Sequence, residues 1–202
     1  MSTPHDWQVV SRHYLEGFTR LLEHVDLAAV ERAVDLLRDA RDRGSTVYIA
    51  GNGGSAATAT HMVNDLGKAT KRSGRRPMRV LCLSDNVSWL TALANDEGYE
   101  RAFSGQMENF ATAGDVLFVI SASGNSPNLL DAVKLARHRG MHTLALLGFD
   151  GGELKNMVDE HVLIETELGA YGPVESAHSV VCDMVTTCLI GDVDADRVPT
   201  PA

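Results

Sequence analysis

The chain has 202 residues, of which 44% are hydrophobic and 22% are charged, and its formal net charge is -9. This composition is typical of one globular domain, and the negative charge argues against nucleic-acid binding, which usually needs a basic face. No apolar stretch reaches the ~18 residues of a membrane span, and the opening MSTPHDWQVV lacks the features of a secretory signal.

Two helices are predicted before the first strand. In WQVVSRHYLEGFTRLLEHV, apolar residues recur at helical spacing, namely Val9, Val10, Tyr14, Phe18, Leu21 and Leu22. The segment LAAVERAVDLLRDARDRG continues the pattern, with Asp26 as its N-cap and Gly44 as its stop. We expect residues 1–44 to form a helical pair that packs on the rest of the domain or on a second subunit.

Strands and helices alternate after Gly44. The predicted strands are TVYIAG (46–51), RVLCLS (79–84), DVLFVIS (115–121), HTLALLG (142–148) and EHVLIE (160–165). Helices are predicted at about 55–70, in stretches across 87–112, at 127–140, briefly before the last strand, and at 173–191. Apolar strands separated by amphipathic helices predict an α/β fold with a doubly wound, five-stranded parallel sheet. This domain would span residues 45–193, and a flexible tail would follow at 194–202.

The remaining features of composition concern thiols and basic residues. Three cysteines, Cys82, Cys182 and Cys188, have no spacing typical of a metal site, so we expect buried free thiols and a cytoplasmic protein. The basic run KATKRSGRR (68–76) carries no aromatic residue that could stack on a base, and we interpret it as a solvated loop.

Two turns rich in glycine and serine follow predicted strands. GNGGS occupies residues 51–55 and SASGNS occupies residues 121–126. Ligands of such sheets bind beyond the carboxyl ends of the strands, and free amides at helix N-termini attract anions. Together with three serine hydroxyls, these turns predict a phosphate site without lysine. The alternative is that Ser126 is only a helix cap and Gly124 only a turn residue.

A nucleotide is a poorer match than a small phosphorylated molecule. GNGGSAAT lacks the GKS/T ending of a Walker A loop, and GNGGSA fits the dinucleotide fingerprint only in its looser form, with Ala56 in the third position. No acidic residue ends the next strand, RVLCLS, where a ribose-binding carboxylate would be expected. We therefore predict no nucleotide cofactor.

Five segments together resemble the sugar isomerase (SIS) domain: GNGGSAATATH (51–61), AND (94–96), ISASGNS (120–126), GFDGGEL (148–154) and VESAH (174–178). Within it they are most similar to phosphoheptose isomerases, which convert sedoheptulose 7-phosphate to an aldoheptose 7-phosphate. The resemblance implies a homotetramer with active sites between subunits. It also implies substrate binding by Asn52, Gly53, Gly54, Ser55, Asn95, Asp96, Ser121, Ala122, Ser123, Ser126 and Glu175. The isomerases usually have threonine where this chain has Ala122, so one hydroxyl is missing.

The resemblance also implies a catalytic set. The isomerases use a histidine and a glutamate four residues apart on the helix after the first strand, and a glutamine and a histidine eight apart on the last helix. These four residues hold zinc. The matching positions here are His61, Asp65, Glu175 and Asp183, of which only the histidine is retained. One histidine with three carboxylates would suit Mg²⁺, Mn²⁺ or Fe²⁺ at least as well as zinc; the alternative is that no metal binds.

Two functions follow from these residues. The first is aldose–ketose isomerisation of a heptose phosphate through an enediol, with Asp65 and Asp183 as proton carriers and His61 and Glu175 as positioning or metal-binding groups. The second is a non-catalytic phosphosugar-binding or assembly protein, like the relatives that associate with the bacterial replication initiator, because three catalytic positions differ. His61 and Asp65 would then be an ordinary surface pair on one helix face. His178 is interpreted as a packed residue or as support for the site.

Overall fold

The computed structural model describes residues 6–71 and 75–192. The predicted tail at 194–202 and the middle of the basic run lie outside the described residues. The helices are α1 (Trp7–Glu23), α2 (Leu27–Arg43), α3 (Gly54–Asn64), α4 (Val87–Asp96), α5 (Ser104–Met107), α6 (Pro127–His138) and α7 (Tyr171–Gly191). The strands are β1 (Thr46–Gly51), β2 (Arg79–Cys82), β3 (Val116–Ser121), β4 (His142–Phe149) and β5 (Glu160–Glu165).

All five strands pair in parallel, in the order β2-β1-β3-β4-β5. The predicted α/β fold with a doubly wound sheet is confirmed. Every residue of β1 and β3 is buried, as expected for central strands that are covered on both faces. The chain leaves β1 towards β2 on one side and reaches β3 on the other, so the carboxyl ends of β1 and β3 form the topological switch point.

Two hydrophobic layers cover the sheet. Buried side chains of α2, α3 and α7 pack on one face, and those of α5 and α6 pack on the other. Alternate residues along β1 enter opposite layers: Val47 and Ile49 face the first, while Tyr48 and Ala50 face the second. This alternation follows from the two-residue period of a strand. The layers hold the ends of β1 and β3 in a fixed register.

The two leading helices differ in burial. The carboxylate of Asp26 accepts the backbone N–H groups of Ala28 and Ala29 at the start of α2, and Gly44 ends this helix with φ 78°. Helix α2 places a row of apolar residues in the core, whereas α1 has no buried residue. Along α1, the side chains of Trp7 and Leu15 are 69% and 63% exposed. Within the α1 stripe, Val9, Val10 and Tyr14 are also exposed, whereas Phe18, Leu21 and Leu22 pack against the core.

Three expectations differ from the structure. The helix after β1 is not one α-helix over 55–70, because α3 ends at Asn64 and a π-helix spans Asp65–Ala69. The helical stretches predicted across 87–112 end at Met107, with a break where Gly98 adopts φ 105° after α4. The basic run 68–76 is not wholly a loop, since its first two residues end the π-helix, although Arg75 and Arg76 are exposed as expected.

The thiols also differ in burial from the prediction. All three cysteines are free, but only Cys182 is buried; Cys82 is partly exposed and Cys188 is exposed. Cys188 is exposed because it lies on the outer face of α7, away from the sheet. Within the described ranges, no helix is both long enough and apolar enough to cross a membrane.

Candidate active site

The two predicted turns meet at the switch point, where they enclose a cavity of about 140 Å³. Both turns and the start of α7 contribute polar groups to this space, the serine cavity. Its lining residues are Asn52, Ser55, Ile120, Ser121, Ala122, Ser123, Ser126, Leu129, Tyr171 and Glu175. The structure thus brings most of the proposed phosphate-binding residues around one space.

The serine loop has hydroxyl groups that can donate to a ligand. Ser121 Oγ accepts the N–H of Gly124 at 3.0 Å, and Ser123 Oγ accepts the N–H of Asn125 at 3.3 Å. Each oxygen accepts, so the hydroxyl proton of each serine can still be donated. Ser126 occupies the N-cap position of α6, but its side chain makes no capping hydrogen bond. The Ser126 hydroxyl is therefore not used to cap α6, and its role in phosphate binding stays a prediction.

The first loop opens α3 in a similar way. Gly53 precedes α3 with φ 54°, and no side chain caps this helix. A Cβ atom added at Gly54 would clash with the carboxylate of Glu175. The contact shows that the acidic side chain of α7 lies directly against the backbone at the start of α3. Two uncapped helix N-termini, those of α3 and α6, thus face one region.

The loop after β4 supports the serine loop. A Cβ atom at Gly124, which has φ 63°, would overlap the carbonyl oxygen of Gly151. The backbone N–H of Leu154 donates to the oxygen of Gly124 at 3.0 Å, and the N–H of Glu153 donates to Asn125 Oδ1 at 2.8 Å. Gly124 is therefore both a turn residue and the contact point between the two loops.

A cluster of polar side chains joins the loop after β1 to the start of α6, which follows the serine loop. Asn52 and Asn128 exchange hydrogen bonds between their amides, and the hydroxyl of Tyr99 donates to Asn52 Oδ1 at 2.9 Å. Asn128 is fully buried. Sequence reasoning missed both Asn128 and Tyr99; the sequence shows only that Asn128 follows the proline of the SASGNSP segment.

An acidic cluster lies on neighbouring turns of α3, the π-helix and α7. His61 Nε2 lies 3.3 Å from Asp65 Oδ2. One ligand atom each from His61, Asp65 and Asp183 lies within 4.8 Å of the others. The negative charges of this cluster also affect the buried thiol of Cys182. Its pKa is raised to about 12, mainly by burial and in smaller part by the charges of Asp183 and Asp65. Asp65 begins the π-helix, a feature that is frequent at functional sites.

Glu175 lies outside this cluster among the residues that the structure describes. It is two turns away from Asp183 along α7, and its carboxylate instead contacts the start of α3. It does, however, line a second, more open cavity of about 410 Å³ together with His61, Thr58 and Ser179. The predicted four-residue ligand set is therefore corrected to three residues, with Glu175 between the serine cavity and the acidic cluster.

The group of three fits a divalent cation by its chemistry. One imidazole nitrogen and two carboxylate oxygens, from partly or fully exposed side chains, are suitable donors for Mg²⁺, Mn²⁺ or Fe²⁺.

Two hydroxyl side chains also line the second cavity, beside Glu175 and His61. The oxygens of Thr58 and Ser179 lie 3.4 Å apart. The sequence analysis did not single out this hydroxyl pair.

Asn95 and Asp96 lie elsewhere. They end α4, are exposed, and are joined by a hydrogen bond of 2.8 Å from Asn95 Nδ2 to Asp96 Oδ1. Neither residue lines the serine cavity or the second cavity. One subunit therefore does not bring these two predicted sugar contacts to its own site.

His178 is a packed residue. It is completely buried, and neither ring nitrogen makes a hydrogen bond with the described residues. Burial lowers its pKa to about 4, opposed in part by an interaction with the backbone of Leu147 that does not meet the geometry of a hydrogen bond. His178 lines neither cavity, so it can act on the site only through the packing of α7 on the sheet.

Comparisons with known proteins agree with this architecture. Residues 13–148 match the family described as the SIS domain. A phosphoheptose isomerase of Citrifermentans bemidjiense is 42% identical over 160 residues, which are 78% of this chain and 82% of the relative. A probable phosphoheptose isomerase of Thermoplasma acidophilum is 36% identical over 180 residues, covering 89% of this chain and 97% of that one.

A solved structure agrees as well. The phosphoheptose isomerase from Neisseria gonorrhoeae superposes with a TM-score of 0.80 and 31% identity, over 91% of this chain and 97% of that one. The two sequence relatives and the Neisseria protein are all named phosphoheptose isomerases, and the Neisseria structure has the same fold as this chain. The chain therefore belongs to the SIS-domain phosphoheptose isomerase family, and the protein is a phosphosugar isomerase.

Proposed function

We propose that the substrate is sedoheptulose 7-phosphate and that the product is an aldoheptose 7-phosphate. The observation that carries this proposal is the position of Glu175, which lines both the serine cavity and the cavity that contains His61. An ester whose phosphate is held by the serine loop would extend its sugar chain past Glu175 towards the acidic cluster. The names of the sequence relatives support a heptose phosphate.

The proposed chemistry is proton transfer between C1 and C2 through an enediol. This reaction needs a base near the substrate carbon and a group that returns the proton to the neighbouring carbon. Asp65 and Asp183 are the proposed proton carriers, because they flank the same space from two helices. His61 would orient Asp65 through their 3.3 Å contact. Glu175 would accept hydrogen bonds from sugar hydroxyls.

We further propose that His61, Asp65 and Asp183 hold a divalent cation. When bound, such an ion would polarise the substrate carbonyl as a Lewis acid. Two oxygen donors and one nitrogen donor suit Mg²⁺, Mn²⁺ or Fe²⁺ at least as well as zinc. Metal analysis of the purified protein, followed by thermal denaturation with each added ion, tests the site. Stabilisation by one of these ions that is lost in Asp183→Asn is expected; no bound metal and no response to any ion would overturn this site.

An activity assay tests the isomerase proposal. Purified protein is incubated with sedoheptulose 7-phosphate, with and without added divalent ions, and the new aldose phosphate is detected by NMR. Asp65→Asn and Asp183→Asn should each reduce kcat by about 10²–10⁴-fold, the usual contribution of an acid–base group. The exposed carboxylate of Asp39 on α2 provides a matched control in Asp39→Asn, which should keep full activity.

The same assay separates the two functions that the sequence left open. Sugar phosphate that binds to the wild-type protein but is not converted with any ion would favour a non-catalytic binding role. Unchanged kcat in both aspartate variants would overturn the assigned proton carriers while leaving the isomerase activity intact.

We propose a homotetramer, with sites completed between subunits. The exposed stripe of α1 supports an assembly that covers it, since large exposed apolar patches usually mark an interface. Asn95 and Asp96 would then serve the site of a neighbouring subunit, because they line neither cavity of their own. Three free thiols agree with a cytoplasmic location, which stays a prediction.

A further inference from the structure

Tyr171 stands at the mouth of the serine cavity. It is the first residue of α7, it lines the cavity beside the three loop serines, and it is 52% exposed. Its hydroxyl makes no hydrogen bond to any residue in the ranges 6–71 and 75–192. A phenolic O–H is both a donor and an acceptor, so an uncommitted donor lies at the edge of a space that already contains serine hydroxyls.

The ring of Tyr171 is held in place by Phe149. The two ring centroids lie 5.1 Å apart with an interplanar angle of 81°, the edge-to-face arrangement that aromatic pairs favour. Phe149 is buried and has φ 51°, the only positive value at a non-glycine position in the described chain. A side chain adopts this conformation rarely and only where its surroundings enforce it.

Phe149 also supports the serine loop. It forms a small buried apolar cluster with Ala122 and Val174. A Cβ atom at the neighbouring Gly148 would lie 2.9 Å from the carbonyl oxygen of Ala122 and would clash with Val174. Phe149 thus packs against Tyr171 on one side and contacts the loop that would hold the phosphate on the other.

We propose that Tyr171 is a substrate-binding residue whose hydroxyl donates a hydrogen bond to the phosphate group of the bound sugar phosphate, and that Phe149 is the positioning residue that aims it. This inference rests on the proposed function of the site. Ala122 has no hydroxyl and directs its methyl group into the apolar cluster. Tyr171, which lines the serine cavity together with Ala122, carries a hydroxyl. A hydrogen bond to a charged phosphate is among the stronger kinds.

The test compares Tyr171→Phe, which removes only the hydroxyl, with the wild-type protein and with Tyr14→Phe as a matched control. Tyr14 lies on α1 and is also about half exposed, at 47%. Calorimetric titration measures Kd for sedoheptulose 7-phosphate and, separately, for inorganic phosphate. Tyr171→Phe should weaken both ligands about tenfold, because a charge-assisted hydrogen bond is lost. Its melting temperature without ligand should be unchanged, and Tyr14→Phe should behave as wild type.

Each result has a distinct meaning. Equal affinities of Tyr171→Phe and wild type for both ligands would overturn the inference and leave the proposed function standing. Weaker binding of the sugar phosphate alone would show that the hydroxyl contacts the sugar and would overturn its assignment to phosphate. A wild-type protein that binds neither ligand would overturn the proposed function as well.

A double-mutant cycle tests the role of Phe149. Phe149→Leu keeps the Tyr171 hydroxyl but removes the ring beneath it, so phosphate affinity should fall. In the Tyr171→Phe background, Phe149→Leu should cause no further loss of phosphate affinity, although it should lower the melting temperature in both backgrounds. Additive losses of affinity would show that Phe149 does not act through Tyr171.

Discussion

Asn52 and Asn128 exchange two hydrogen bonds of 2.9 Å, each amide nitrogen donating to the carbonyl oxygen of the other. Asn52 belongs to the loop after β1, and Asn128 belongs to the first turn of the helix that follows the serine loop. The pair therefore sets the spacing between the two loops that line the serine cavity.

Asn128→Leu should loosen this spacing. Leucine is similar in size but offers no hydrogen bond, so Asn52 Nδ2 loses its acceptor, while Asn52 Oδ1 keeps only the hydrogen bond from Tyr99. We expect stability to fall by about 1–3 kcal/mol and KM for the sugar phosphate to rise. Chemical denaturation and steady-state kinetics measure the two effects. Asn109→Leu, at an exposed position, is the control; a KM in Asn128→Leu equal to that of the control would contradict this role.

Gly124→Ala should disrupt the serine loop. The added methyl group would overlap the carbonyl oxygen of Gly151, and φ 63° is strained for alanine. The fold should lose roughly 3 kcal/mol or more, as expected when a residue is incompatible with both its space and its backbone conformation, and phosphosugar binding should be lost.

A second glycine separates the clash from the backbone strain. Gly114 has φ 85°, but nothing lies within 4 Å of an added Cβ. Gly114→Ala should therefore cost only about 1 kcal/mol and should retain binding. Thermal denaturation with and without ligand compares the two variants, and equal losses would mean that contact with the loop after β4 is unimportant.

The buried His178 should make stability depend on pH. Burial lowers its pKa from 6.5 to about 4 in the folded protein, so the unfolded chain takes up the proton first. Stability is therefore fully present above about pH 6.5 and is lost as the pH falls towards 4. The loss from this residue should be about 2 kcal/mol between pH 7 and pH 5.

His178→Leu should remove that part of the pH dependence. Because neither ring nitrogen has a hydrogen-bond partner among the described residues, replacement by an apolar side chain should be nearly neutral at pH 7. Urea denaturation at pH 7 and pH 5 measures the difference between the two proteins. A variant whose stability falls as steeply as that of wild type would show that other groups cause the acid sensitivity.

The exposed stripe of α1 should hold the assembly together. Leu15→Lys places a charge beside this stripe, at a side chain that is 63% exposed in one subunit. We expect the oligomer to dissociate while each subunit keeps its fold, because α1 has no buried residue. Light scattering after size-exclusion chromatography measures the mass. Glu16→Lys, also on α1, is the control, and a wild-type protein that is monomeric would contradict the proposed tetramer.

Most of the fold could be predicted because its signals are local. The bounds of β1 and β5 agree with the predicted strands, since continuous apolar runs between turn residues specify buried parallel strands. The caps of α2 at Asp26 and Gly44 were likewise readable from single residues. The π-helix at Asp65–Ala69 was not, because an extra residue in one turn leaves no distinct pattern in the sequence.

The sequence by itself determined the alternating strands and helices, the two loops at strand ends, and the types of side chain available for acid–base chemistry, because each depends on neighbours along the chain. Only the tertiary structure decided that Asp183 joins His61 and Asp65 while Glu175 does not, that Asn128 is hydrogen-bonded to Asn52, and that Tyr171 lines the serine cavity. These relations join residues that are far apart in the chain. They depend on how α7 and α6 pack on the sheet, and side-chain burial and contact distances exist only once that packing has formed.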